Sequence, residues 1–226
     1  MRRRRPPFRS SQLPLAPILM LALGLSAGPA DAGIFRDVLS TVGLAPKEPA
    51  PGTAGAPVFP RKGFACCDLH YSKDWINDGN YSSLPMIPAG TPIEVQSYGR
   101  HRAMVTVDGR AMRLGHDYGR DQETLDVWVN KIVVADDPRP RISSWPASVQ
   151  AAIREGRVMV GMTREQTVVA IGYALTSENA FADASTLHYW RSTHEEFDLH
   201  FSPDGRLASV TGDESVVNLV TYRPGK

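Results

Sequence analysis

Cysteine is nearly absent: the 226 residues contain two, and they are neighbours, Cys66 and Cys67. A bridge between adjacent residues needs a strained geometry that few loops supply, which argues against a conventional stabilising disulfide. The pair reads as two half-buried thiols on a strand, with an intermolecular or redox role in an oxidising compartment as the alternative. Beyond the first residues there is no basic run, so the chain lacks the electrostatic footprint of a nucleic-acid binder. No segment approaches the roughly 20 apolar residues that cross a bilayer as a helix. A Gly-x-Ser-x-Gly elbow, a Walker loop and a His-Glu-x-x-His pair are all missing. The sequence therefore nominates no catalytic residue, no cofactor and no enzyme activity.

What is present begins with an export signal. Arg2 to Arg5 and Arg9 precede the apolar stretch Leu13 to Ala27, and Ala30-Asp31-Ala32 is a small-residue cleavage site, which places cleavage after Ala32. The stretch is short and broken by Pro14 and Pro17, so it reads as a cleaved signal (residues 1–32) rather than an anchor. Neither cysteine borders this site, so the lipid-bearing cysteine of a lipoprotein is missing. Losing residues 1–32 removes five arginines and one aspartate and moves the formal charge from +1 to −3. The expected location is the periplasm, peripheral to the outer membrane; the export route stays open.

Residues 33–61 are rich in Pro, Ala and Gly and cannot build a core, so they read as a linker. Over 62–137 short apolar alternations predict strands followed by a helix. Ala103, Val105 and Val107 alternate up to Asp108-Gly109, a two-residue hairpin turn, and Met112 and Leu114 continue on the return. Pro88 and Pro92 place the strand at Ile93 to Val95 near a sheet edge. Leu125, Trp128, Val129 and Ile132 recur at helical spacing after a cap at Asp121. The passage from Pro88 to Leu114, with its Pro-x-Gly-Thr strand opening and hairpin, is similar to bacterial SH3-like barrels.

Asp136 to Pro140 marks a boundary, and residues 138–226 form a second unit. Pro146 opens a helix through Ile153 that ends near Gly156. Thr163-Arg164-Glu165-Gln166 is a capping box that opens the next helix, with Val168, Val169 and Ile171 as its buried stripe and Gly172 as its stop. Strands follow at 187–191, 196–201 and 207–210, with Pro203-Asp204-Gly205 as a turn. Residues 214–222 fit either an edge strand or a loosely docked tail.

In order, Gly161-Met162-Thr163, Gln166, Gly172, Tyr189-Trp190 and the strand-turn-strand from Phe201 through Asp204-Gly205 to Val210 resemble the SmpA/OmlA (BamE-like) family. The resemblance covers about a third of the chain. The order of elements gives an α+β chain, in which a domain similar to an SH3-like barrel with a C-terminal helix precedes two helices on an antiparallel sheet. The SmpA/OmlA resemblance implies an envelope protein whose partners are other envelope proteins, such as the subunits that assemble outer-membrane β-barrels; the SH3-like likeness gives the alternative of a peptidoglycan- or peptide-binding module, and outer-membrane lipid is a further expected contact.

Gly161, Met162, Thr163, Gln166 and Gly172 are folding devices before they are a site. Phe197, Leu199 and Phe201 should face the helices, which leaves Asp198 and His200 outward. The charge on Arg191 suggests that Tyr189 points out with it and Trp190 points in, so Tyr189, Arg191, Asp198 and His200 form the expected partner patch. The alternative is a polar loop from Tyr71 to Tyr81, with Trp75 and Asn77, that holds a peptide or glycan. His188, His194 and His200 lack the short repeated intervals of a zinc site, so no metal is expected. His116-Asp117-Tyr118 resembles an acid-base cluster, but neighbours on an extended chain point to opposite faces and pair poorly.

Overall fold

The computed structural model describes residues 59–225. The signal predicted over 1–32 and nearly all of the linker predicted over 33–61 lie outside the described residues. Eight short strands, β1 (Arg61–Ala65), β2 (Leu69–Ser72), β3 (Trp75–Asn77), β4 (Met86–Ile87), β5 (Pro92–Tyr98), β6 (Arg102–Val107), β7 (Arg110–Gly115) and β8 (Val133–Val134), form one curled sheet in the order β4-β2-β3-β7-β6-β5-β1-β8. All its pairings are antiparallel except β3 with β7. Helix α1 (Leu125–Ile132) leads directly into β8.

The hairpin follows the expected chemistry. Asp108 and Gly109 both take positive φ, 47° and 78°, as a two-residue turn between right-twisted strands requires. Its register pairs Val105 with Met112 and Ala103 with Leu114, and all four side chains are buried. Two details differ from the sequence reading. Strand β5 lies between β6 and β1 rather than at an edge; Pro92 is tolerated because it is the first residue of the strand. Helix α1 starts from Thr124, not Asp121, and buries Leu125, Trp128, Val129 and Ile132. Cys66 and Cys67 correct a third expectation. They are joined to each other as a disulfide, just past the end of β1 where the chain bends toward β2, and both are buried.

The second half carries α2 (Arg139–Ser143), α3 (Ala147–Arg154), α4 (Arg164–Ile171), the sheet β11-β10-β9 built from β9 (Thr186–Ser192), β10 (Glu195–Phe201) and β11 (Leu207–Gly212), and α5 (Glu214–Val220). The class is α+β, with helices and strands in separate runs. The α4 cap is reciprocal: Gln166 N donates to Thr163 Oγ1 at 3.2 Å and Thr163 N donates to Gln166 Oε1 at 2.9 Å. Val169, Ala170 and Ile171 are buried, whereas Val168, expected in the stripe, is half-buried. Residues 214–222 form neither an edge strand nor a loose tail. Asp213 accepts from Ser215 N at 2.8 Å, and Val216 and Val220, one helical turn apart, are buried. Beyond α5, Tyr222 N donates to Val158 O, so this end is tied to the core.

Two hydrophobic clusters result, one inside the curled sheet and one between the three-stranded sheet and its helices. They belong to one compact unit. Ala89 from the first half belongs to the second cluster and Tyr173 from the second half packs on the first, and polar links join the halves as well. Asp68 N donates to Val169 O, Ser83 N donates to Arg191 O, and Asn80 Nδ2 donates to both Asp68 O and Ile171 O. Asn80 Oδ1 accepts from His70 N at 2.7 Å, so one amide side chain clamps β2 to the end of α4. Gly172 is required there: with φ at +82°, a Cβ on it would lie 2.3 Å from Asn80 Nδ2.

Candidate functional site

Alternation places Leu187, Tyr189, Phe197, Leu199 and Phe201 on the inner face of the three-stranded sheet, all buried. His188, Trp190, Glu196, Asp198 and His200 lie on the outer face. Tyr189 therefore does not belong to the surface patch. It pairs with Phe197, stacks on that ring at 5.7 Å, and donates its hydroxyl to Gly172 O at 3.3 Å. Burial pushes its phenol well above the ordinary tyrosine range. Trp190 takes the outward place and donates from Nε1 to Glu178. Arg191 is also set apart from the patch: it pairs with Glu195 beside the bulge between Glu195 and Glu196. Asp198 and His200 are outward as expected.

On this outer face His188 sits among three carboxylates. Its Nδ1 is 2.8 Å from Asp198 Oδ1, and its Nε2 is 3.7 Å from Glu178 and 3.6 Å from Glu196. His200 bridges the strands through Thr186 Oγ1 at 3.0 Å and Thr211 Oγ1 at 2.7 Å. The face is thus acidic and aromatic, with Trp190 beside His188 in an edge contact. Among the described residues, no group of three His, Cys, Asp or Glu side chains is arranged to hold a metal ion.

The segment from Tyr71 to Tyr81 is not one polar loop. Tyr71 pairs with Ile76 and Ser72 with Trp75 in a β2–β3 hairpin, and β3 adds to β7. The guanidinium groups of Arg102 and Arg113 lie over the Trp75 indole, 4.6 and 4.9 Å from ring centroids. Asn77 lies on β3, half-buried, and Tyr81 meets Tyr118 edge-on. Tyr71 lines a groove, which it shares with Met86, Pro88, Thr91, Arg110 and Met112.

His116 does find a carboxylate, but it is Asp78 rather than its neighbour Asp117. Nδ1 is 2.9 Å from Asp78 Oδ2, and the two side chains are 1% and 3% exposed. Asp78 also accepts from the backbone N–H groups of Asp117, Tyr118 and Gly119, and the imidazole stacks on Trp128. Enclosed in this way, the pair anchors the loop from Asp117 to Gly119.

Two buried titratable groups escaped the sequence reading. Asp68, 1% exposed, accepts from Ala89 N at 2.8 Å through Oδ1, while Oδ2 has no partner; burial pushes its carboxyl up to about 8. His70, on the same side of the chain, has an unpartnered Nδ1, and burial lowers it to about 4. The available signal was their i, i+2 spacing beside the cysteines. Only the packing of β2 on the second half made it meaningful.

The fold and these surfaces define an α+β protein with a curled sheet and an exposed acidic-aromatic sheet face. No family model, curated protein or solved structure matches the chain.

Proposed function

We propose that the chain is a non-enzymatic interaction protein of the bacterial cell envelope, in which an SH3-like barrel precedes a BamE-like unit. In this reading it is exported, resides in the periplasm peripheral to the outer membrane, and assists outer-membrane β-barrel assembly or outer-membrane integrity. The observation that carries it is the outer face of β9 to β11, where Glu178, Glu196 and Asp198 surround His188 beside Trp190. Carboxylates around an indole suit a partner segment that presents Lys or Arg, since charge complementarity steers encounter and the aromatic supplies contact area.

The test is crosslinking in cells with the tagged chain, followed by capture and identification. Recovery of barrel-assembly subunits, lost in a Trp190→Ala, Glu196→Lys variant, supports the reading; capture that is unchanged in that variant refutes this face as the contact. A second reading, a peptide- or peptidoglycan-binding module, draws on the groove of about 320 Å³ lined by Tyr71, Pro88, Arg110 and Met112. Binding of purified peptidoglycan, abolished by Tyr71→Ala and indifferent to the sheet-face variant, would favour it.

A further inference from the structure

A cavity of about 250 Å³ lies where β4 and the Pro88–Ala89 turn meet α2 and α3. Met86, Pro88, Ala89, Ile142 and Ile153 give it apolar walls, and Asp68, Arg139 and Arg154 also line it. Its polar groups are unequally satisfied. Arg139 is held by Asp137 through Nε at 2.9 and 2.8 Å and Nη2 at 2.6 Å. Gln150, also in the lining, already donates to Ser143 O and Trp145 O. Arg154 has no acidic partner among the described residues, and Asp68 Oδ2 is buried with none at all. A buried polar atom left unpaired costs free energy comparable to a lost hydrogen bond, so it calls for a partner from outside the chain.

We propose that this cavity binds a short-chain amphipathic carboxylate, with its alkyl chain against Met86, Ile142 and Ile153 and its head group held by Arg154 and the Asp68 carboxyl. The charge balance decides the sign of the ligand. Burial raises Asp68 to about 8, so at neutral pH it carries a proton and donates from Oδ2, while His70, lowered to about 4, is neutral. Of the charged groups that share the cavity lining with Asp68, Arg139 is already matched by Asp137 and Arg154 is unmatched, while His70, two residues along the chain, is neutral. One net positive charge and one carboxyl donor in an apolar pocket fit an anion with an apolar tail. An amine would face Arg154 and would require Asp68 to ionise inside the protein. The volume, at the small end of ligand pockets, limits the tail to a short chain.

Calorimetric titration of the full chain with octanoate, octylamine and octanol tests this. The expected result is saturable one-to-one binding of octanoate, weaker binding of octanol and none of octylamine. Arg154→Gln, on an exposed position, should weaken octanoate by about tenfold and leave octanol unchanged. Wild-type affinity should fall between about pH 6 and about pH 9 as Asp68 ionises, and Asp68→Asn, which keeps a neutral donor and the acceptor for Ala89 N, should bind octanoate with no such fall. Circular dichroism confirms that each variant is folded. Absence of saturable octanoate binding overturns the proposal, as does octylamine or octanol binding as tightly as octanoate, or an Arg154→Gln variant with unaltered octanoate affinity.

Discussion

Burial of Asp68 and His70 makes the stability of the chain depend on pH with a shape that can be worked out. The Asp68 carboxyl rises from 3.8 to about 8 on folding. Between those values the folded chain holds a proton that the unfolded chain has released, so the contribution of Asp68 is complete below 3.8 and is lost as pH rises toward 8. His70 acts in the opposite sense: lowered from 6.5 to about 4, it lets the unfolded chain bind the extra proton, so stability grows as pH rises across that interval. Each group contributes about 1.4 kcal/mol per pH unit within its interval. From about pH 4 to 6.5 the two slopes cancel, and from 6.5 to about 8 the Asp68 slope stands alone and removes about 2 kcal/mol. Urea denaturation at a series of pH values, with the m-value constant, measures this. Asp68→Asn should flatten the upper interval, and His70→Gln should extend the fall downward to about pH 4. Wild-type and Asp68→Asn profiles that run parallel above pH 6.5 would refute the reasoning.

Other outcomes follow from the packing. Asn80→Ala removes three hydrogen bonds and places alanine at a φ of 42°, so it should cost about 3 kcal/mol by urea denaturation; under 1 kcal/mol would show that the clamp is solvent-replaced. Tyr189→Ala empties a site next to Phe197 and should cost about 3–5 kcal/mol, whereas Tyr189→Phe should cost about 1 kcal/mol. A thermal melt of Tyr189→Ala that matches wild type would return the ring to the surface. Thr163→Ala should cost about 1 kcal/mol through loss of the α4 cap, and Thr163→Ser should restore it.

The features legible in the sequence are those fixed by neighbours along the chain. The Asp108-Gly109 turn, the Thr163 to Gln166 box and the stripe from Leu125 to Ile132 depend on residues within one turn of helix or one hairpin. The face of β9 depends instead on the pairing of Tyr189 with Phe197. The charge on Arg191 misled because that residue sits at a strand end beside a bulge, where its guanidinium reaches Glu195 whichever face the strand presents. In α5 a run of Val, Val, Leu and Val has strand propensity, and the helix wins through the Asp213 cap and the burial of Val216 and Val220. The partner patch was half legible: Asp198 and His200 follow from alternation, whereas Glu178, supplied by the connector before β9, does not. Asp68 and His70 gain their character from a second layer that no local pattern announces.

The position of β1 has a consequence for how fast the molecule assembles. It lies inside the curled sheet, between β5 and β8, although it is the first strand among the described residues; Arg61 Nη1 donates to Val133 O across 72 residues. Closing so long a loop costs chain entropy before the pairing returns any energy, and such contacts slow folding. The β6–β7 hairpin can form early and locally, but β1 gains its second partner only when α1 and β8 have been delivered. Until that moment one edge of β1 stays open for pairing with another chain, so the interval between hairpin formation and arrival of Val133 is when this protein is most prone to aggregate.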